Sequence, residues 1–135
     1  MSKRLLYLIF LGVGMLGCSK DSPPADYTGD YKSTEVTEFS YTSTSAPIIT
    51  RSAGTVTVQK AVNPTELQFV VGKTFYTAQM SGTHFTFKPI SYQLDPAYKT
   101  TGEGDFSGKS VVFTINFTGS DPNFYQKSKV EGVRN

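Results

Sequence analysis

The sequence predicts an all-β domain, a small antiparallel up-and-down barrel of about eight strands that occupies residues 27–135. Apolar and polar residues alternate along several segments, as they do on strands with one buried face. Aromatic residues make up 13% of the chain, all of them Phe or Tyr, and these residue types favour strands. Turn residues recur about every 8–12 positions, which is typical of short strands joined in sequence.

The predicted strands follow these signals along the chain. They cover residues 27–39, 54–60, 67–71, 74–80, 83–88, 100–106, 111–118 and 124–134. Residues 40–47 form a polar loop, whereas Gly72-Lys73 and Ser81-Gly82 are short hairpin turns. Pro89 cannot donate to a ladder, so it interrupts the sheet or marks an edge. The clearest alternation is Val111, Phe113, Ile115 and Phe117 facing inward with polar residues between them.

A β-sandwich is the alternative architecture for the same list of strands. It would leave two open sheet edges, and its first and last strands would not need to pair. Short sequential hairpins favour closure into a barrel, because closure removes exposed edges.

The N-terminus has the layout of a secretory signal peptide covering residues 1–17. Lys3 and Arg4 precede an uncharged, mainly apolar run from Leu5 to Leu16. A membrane-spanning helix needs about 20 such residues, so this run is too short for a permanent transmembrane segment.

The run ends in Met15-Leu16-Gly17-Cys18, which resembles the lipobox of bacterial lipoproteins. The resemblance implies cleavage before Cys18 and attachment of a diacylglycerol to its thiol, hence a lipid anchor in the outer membrane. Residues 18–26 then form the lipidated Cys and a flexible, Pro-containing tether. Ser19-Lys20-Asp21 resembles the export tags of surface-exposed Bacteroidota lipoproteins, although a plain spacer would look the same.

Charge and cysteine content narrow the functional classes. The chain carries 13 Lys+Arg and 11 Asp+Glu, and the signal segment accounts for Lys3 and Arg4, so the mature part is formally neutral. No basic field remains to bind nucleic acid. Cys18 is the only cysteine, which excludes an intrachain disulfide.

The mature domain looks like the small lipocalin-like (calycin) lipoproteins of Bacteroidota. The resemblance rests on Gly29-Asp30-Tyr31 in the first strand, on sequential hairpins, and on the later run from Gly102 through Phe106 to Gly108. Lipocalins open with Gly-x-Trp, whose Trp packs against an Arg from the end of the barrel. Tyr31 occupies that position here, and Arg134 is the only late Arg.

The residues with catalytic or metal-binding chemistry do not form a recognisable site. His84, Glu103 and Asp105 are each expected on outer strand faces without a partner, so we expect no enzyme activity, metal or cofactor. Gly102 and Gly104 have no βαβ unit around them and are expected to mark a bulge or sharp coiling of the barrel wall.

The aromatic interior leaves two functional interpretations. In the first, the barrel binds a small apolar or amphipathic ligand between inward rings, with Tyr31, Phe69, Tyr76, Phe87 and Phe113 as the lining candidates. Tyr27 and Tyr92 are further candidates, which could also stack on sugar rings. In the second, these rings fill the barrel, and its outer faces or the loop of residues 40–47 contact an envelope protein partner.

Overall fold

The computed structural model describes residues 25–42, 44–92 and 95–135, with the backbone alone for residues 95 and 96. Eight strands form one closed antiparallel barrel in sequence order, and β8 pairs with β1. The strands are β1 (Gly29–Ser40), β2 (Ile48–Lys60), β3 (Glu66–Val71), β4 (Thr74–Ser81), β5 (His84–Tyr92), β6 (Asp95–Ser107), β7 (Ser110–Thr118) and β8 (Tyr125–Arg134). The predicted up-and-down barrel is confirmed, and the sandwich is excluded because the first and last strands close the sheet. Within the described segments, no helix is long and apolar enough to cross a bilayer.

The largest difference from the predicted strands is in β2, which begins at Ile48 instead of Gly54. Residues 48–53 lack a clean alternation, so their pattern carries no strand signal. The structure pairs them with β1 as far as Phe39 opposite Ile48. This extension therefore depends on the backbone ladder of a neighbouring strand and not on burial, since these residues are exposed.

One end of the barrel is closed by Arg134, and we call it the closed end. The Arg134 guanidinium donates from Nη1 to the backbone oxygens of Asp26 (2.7 Å) and Thr28 (2.9 Å). It also lies over the Tyr31 ring, with Cζ 5.9 Å from the centroid. The Tyr31–Arg134 contact that the lipocalin resemblance implied is therefore present. The signal segment, Cys18 and the tether up to residue 24 lie outside the described residues.

Above the closed end, Phe rings fill the interior. Phe69 lies at the centre of this cluster, with its ring centroid 4.7 Å from Phe85 and 5.1 Å from Phe87. It is also 5.7 Å from Phe113 and 5.9 Å from Phe106. All five side chains are at most 2% exposed. Burial of one such ring is worth about 1.5–3 kcal/mol, so this cluster is a major source of stability.

Two glycines on β6 make room for these rings. Gly104 lies opposite Phe85 and Gly102 opposite Phe87 in the β5–β6 ladder. A Cβ on Gly104 would approach the Phe85 ring to 2.7 Å, and a Cβ on Gly102 would approach the Phe87 ring to 2.8 Å. The β5–β6 ladder is continuous across Gly104, but its register shifts directly after Gly102 pairs with Phe87. An irregularity therefore adjoins Gly102, as expected, and none lies at Gly104. An added Cβ would also meet backbone oxygens of β7, so close approach of β7 and of the rings explains both glycines.

At the other end, which we call the open end, strand pairing around the barrel is incomplete. The β3–β4 hairpin is short, with six residues in β3 against 13 in β2. The β4–β5 ladder stops at Ala78 opposite Phe87, and the β5–β6 register shifts around Pro89. Pro89 therefore interrupts the sheet as predicted, and Tyr76 on β4 has no ladder partner on β5.

Candidate functional site

The open end admits solvent to the inner face of the sheet. Alternation along β2 places positions 48, 50, 52 and 54 on the same face as the buried Val56 and Val58. Those four positions are nevertheless exposed, because β3 pairs with β2 only from Val56 to Lys60. The short β3–β4 hairpin thus leaves a lateral opening between β2 and β5, next to the open end.

A row of polar side chains faces the lumen at this level. On β1, Glu35 and Thr37 share the inward face of the buried Tyr31. Thr37 Oγ1 donates to Glu35 Oε1 at 3.0 Å and lies 2.9 Å from Ser128 Oγ on β8. An ionised carboxylate only accepts hydrogen bonds, so the Thr37 proton points to Glu35 and the Ser128 hydroxyl donates to Thr37. The bonds therefore run in one direction and end at the carboxylate.

Two tyrosines, Tyr76 on β4 and Tyr92 on β5, lie at the same end of the barrel. Burial raises the pKa of the Tyr76 phenol, and nearby Tyr92 and Glu35 raise it further, although a hydrogen bond with Thr74 lowers it. The Tyr92 hydroxyl lies 3.2 Å from Thr100 Oγ1 on β6. We define the open-end site as the polar and tyrosine side chains at this end of the barrel: Glu35, Thr37, Tyr76, Tyr92, Thr100 and Ser128.

Aromatic rings continue from Tyr92 around the open end and form an aromatic rim. The Tyr92 ring centroid is 5.6 Å from Phe117, which stacks on Tyr98 at 5.5 Å. Phe124 lies 5.9 Å from Tyr98 and 6.0 Å from Tyr41, whose side chain is 56% exposed. The rim supplies flat apolar surface beside the polar row, and rigid rings provide such surface at a low cost in conformational entropy.

The residues predicted to line a ligand site separate into two groups. Tyr31, Phe69, Phe87 and Phe113 are at most 2% exposed and pack against other rings, so they fill the closed half of the barrel. Tyr76 reaches the open-end site, and Phe87 lies beneath it with the ring centroids 5.3 Å apart. Of the further candidates, Tyr92 also belongs to the open-end site, whereas Tyr27 stacks on Phe106 with the centroids 4.1 Å apart.

Sequence reasoning missed Glu35 and Thr37 as lumen residues. The signal was present in the sequence, because alternation from Tyr31 places every second residue of β1 on the inner face. It was hidden because these positions carry polar residues, and polar residues on a predicted strand are normally assigned to the solvent face.

The second cluster of titratable groups lies on the outer surface. His84 Nδ1 is 3.1 Å from Asp105 Oδ1, and His84 Nε2 is 3.8 Å from Glu103 Oε2. The outer placement of these side chains is confirmed, but the expectation that they have no partner is wrong. The β5–β6 register sets His84 opposite Asp105, which sequence spacing could not reveal. In the part of the chain that is described, no hydroxyl nucleophile hydrogen-bonds to His84, and no group of His, Cys, Asp and Glu could hold a metal ion.

No protein-family model matches the sequence, and no curated protein is significantly similar to it. The geometry of the open-end site is therefore the main guide to function.

Proposed function

We propose that this chain is a non-catalytic, membrane-anchored envelope lipoprotein whose barrel binds a small apolar or amphipathic ligand at the open end. The main support for binding is that polar side chains and the aromatic rim lie side by side at the end of the lumen that solvent reaches. Ligand sites in proteins combine apolar walls with a few placed polar groups in this way.

The location of the protein is inferred from sequence. The signal-like segment and the lipobox-like ending at Cys18 support a lipid anchor in the outer membrane, with residues 19–26 as the tether. The resemblance of Ser19-Lys20-Asp21 to export tags supports display on the cell surface.

A titration tests the binding role. The chain from Ser19 onward is first checked by circular dichroism for a strand-type spectrum. It is then titrated with N-phenyl-1-naphthylamine, a neutral apolar fluorophore. We expect saturable fluorescence enhancement that weakens when Tyr92 is replaced by Ala, while Phe75→Ala, which removes an exposed ring outside the open-end site, leaves it unchanged. A folded protein that shows no saturable enhancement would contradict ligand binding.

The second candidate is a protein-interaction role with no ligand. The observation that favours it is the filled closed half, together with exposed apolar side chains near the open end, Tyr41 (56%) and Ile48 (55%). These residues would then contact an envelope protein. Absence of fluorophore binding, combined with loss of a co-purifying partner in a Tyr41→Ser, Ile48→Ser variant, would favour this role.

A further inference from the structure

Glu35 is the acidic side chain that faces the lumen in the described part of the barrel. It accepts the hydrogen bond from Thr37 at Oε1. Among the described residues, no Lys, Arg or His lies within salt-bridge distance of it, whereas Glu66, Glu131, Glu103 and Asp105 all have such partners on the outside. Arg134, the cation at the far end of β8, is held by Asp26 and Thr28 at the closed end. Within the described residues, the lumen therefore contains a carboxylate without a matching cation.

The hydrogen bonds of the polar row leave the Glu35 carboxylate able to accept a further hydrogen bond. Ser128 donates to Thr37 and Thr37 donates to Glu35. Both hydroxyl protons are therefore used within the row, and neither is left to donate a hydrogen bond to a ligand. Glu35 Oε2 has no hydrogen-bond partner in the described part of the chain. A group that satisfies Oε2 must be a hydrogen-bond donor, and a positively charged donor forms the strongest such bond.

The tyrosines complete a surface suited to a cation. Tyr76 on β4 and Tyr92 on β5 lie at the same end of the barrel as Glu35, where the Tyr92 hydroxyl is 3.2 Å from Thr100 Oγ1. The face of a Tyr ring carries negative charge density and attracts ammonium and guanidinium groups. Beside them, the aromatic rim and the Phe87 ring offer apolar surface to the rest of a ligand.

We propose that the open-end site takes an amphipathic organic cation, with an ammonium or guanidinium group paired to Glu35 and an apolar body packed on Tyr76, Tyr92 and the rim. This inference rests on the proposed binding function and specifies its ligand class. An anionic ligand with the same apolar body is disfavoured by charge repulsion from Glu35, and a neutral one leaves Oε2 without a charged donor.

The test compares three probes that share one apolar body: 4-phenylbutylamine, 4-phenylbutanol and 4-phenylbutyrate. Calorimetric titrations use the full chain in nanodiscs of zwitterionic phosphatidylcholine, with empty nanodiscs subtracted, at pH 7 and low salt. We expect the amine to bind about five- to tenfold more tightly than the alcohol, since a charge-assisted bond at a half-exposed site is partly screened. The butyrate should bind most weakly, and added NaCl should reduce the preference for the amine.

Two variants assign the preference to one carboxylate. Glu35→Gln keeps the shape of the side chain and removes its charge, and should reduce the preference for the amine to twofold or less. Glu131→Gln removes an exposed carboxylate from the outer face of β8, where it pairs with Lys129, and should leave the preference unchanged. Thermal unfolding of each variant monitors the fold.

The outcomes separate the two levels of the proposal. Equal binding of amine and alcohol to the wild type, or an amine preference that survives Glu35→Gln, would overturn the cation inference while ligand binding stands. Absence of binding by all three probes would overturn both. The comparison of probes on the wild type needs no variant, so it decides the question even if Glu35→Gln does not fold.

Discussion

Thr37 is the residue on which the polar interior depends. It is 7% exposed and its hydroxyl lies between Glu35 and Ser128, so it uses both its proton and an oxygen lone pair. Ser128 is 2% exposed, and its hydroxyl bonds to Thr37. In a mostly apolar barrel, removal of one hydroxyl leaves its buried partner without a hydrogen bond, which costs free energy.

Replacement of Thr37 by Val tests this dependence. Val has nearly the same shape but no hydroxyl, so Ser128 loses its partner in a buried position. We expect the free energy of unfolding, measured in urea, to fall by about 1–3 kcal/mol. Thr34→Val, on the exposed face of the same strand, should change it by less than about 0.5 kcal/mol. Equal effects of the two substitutions would show that the Thr37–Ser128 contact does not stabilise the barrel.

Strand β6 shows how one element determines which half of the barrel is filled. Its glycines lie beneath the Phe cluster, where β5 and β7 bring Phe85, Phe87 and Phe113 over the sheet. On β2, by contrast, Gly54 lies on the inner face beside open space, and a Cβ added there would have Ser33 Oγ as its nearest neighbour, at 4.0 Å. A side chain added at the β6 glycines would therefore clash with packed neighbours, whereas one added at Gly54 would extend into open space.

Alanine substitutions at these glycines should differ accordingly. Gly104→Ala places a methyl group against the Val112 backbone oxygen, the Phe113 Cβ and the Phe85 ring, and should destabilise the fold by about 1–3 kcal/mol through overpacking. Gly54→Ala meets no such obstacle and restricts the unfolded chain, so it should be neutral or stabilise by up to about 1 kcal/mol. Urea unfolding of both variants checks the prediction. A neutral Gly104→Ala would mean that the Phe cluster can shift to accommodate the extra methyl group.

In the molecule as a whole, the sheet closes at the end where the chain enters the barrel. β1 pairs with β8 from Tyr31 opposite Arg134, and Arg134 also binds the backbone of Asp26, just before the barrel begins. The described N-terminal residues therefore join the barrel at the closed end, opposite the open-end site.

Lipid attachment is tested on the whole chain. Radiolabelled palmitate supplied to expressing bacteria should label the wild type, whereas Cys18→Ser should remain unlabelled because it has no thiol to receive the diacylglycerol. An immunoblot of both strains controls for the amount of protein. Equal labelling of the two proteins would contradict modification at Cys18.

Local patterns in the sequence were enough to predict the fold class, the order of the strands and the inner face of the best-patterned ones. Alternation at Val111, Phe113 and Ile115 was sufficient there, because side chains on a strand alternate between its faces and these residues gain stability by burial. Strand pairing, in contrast, decides which lumen residues are packed and which meet solvent. The lengths of neighbouring strands expose the inner face of β2, and the β5–β6 register pairs His84 with Asp105.

Glu35 illustrates this division most clearly. Its inward direction follows from alternation along β1, because Glu35 is four residues after Tyr31 and therefore lies on the same face of the strand. Its lack of a protein cation depends on which side chains surround the lumen, and that is set by contacts between residues far apart in sequence, which local patterns do not encode.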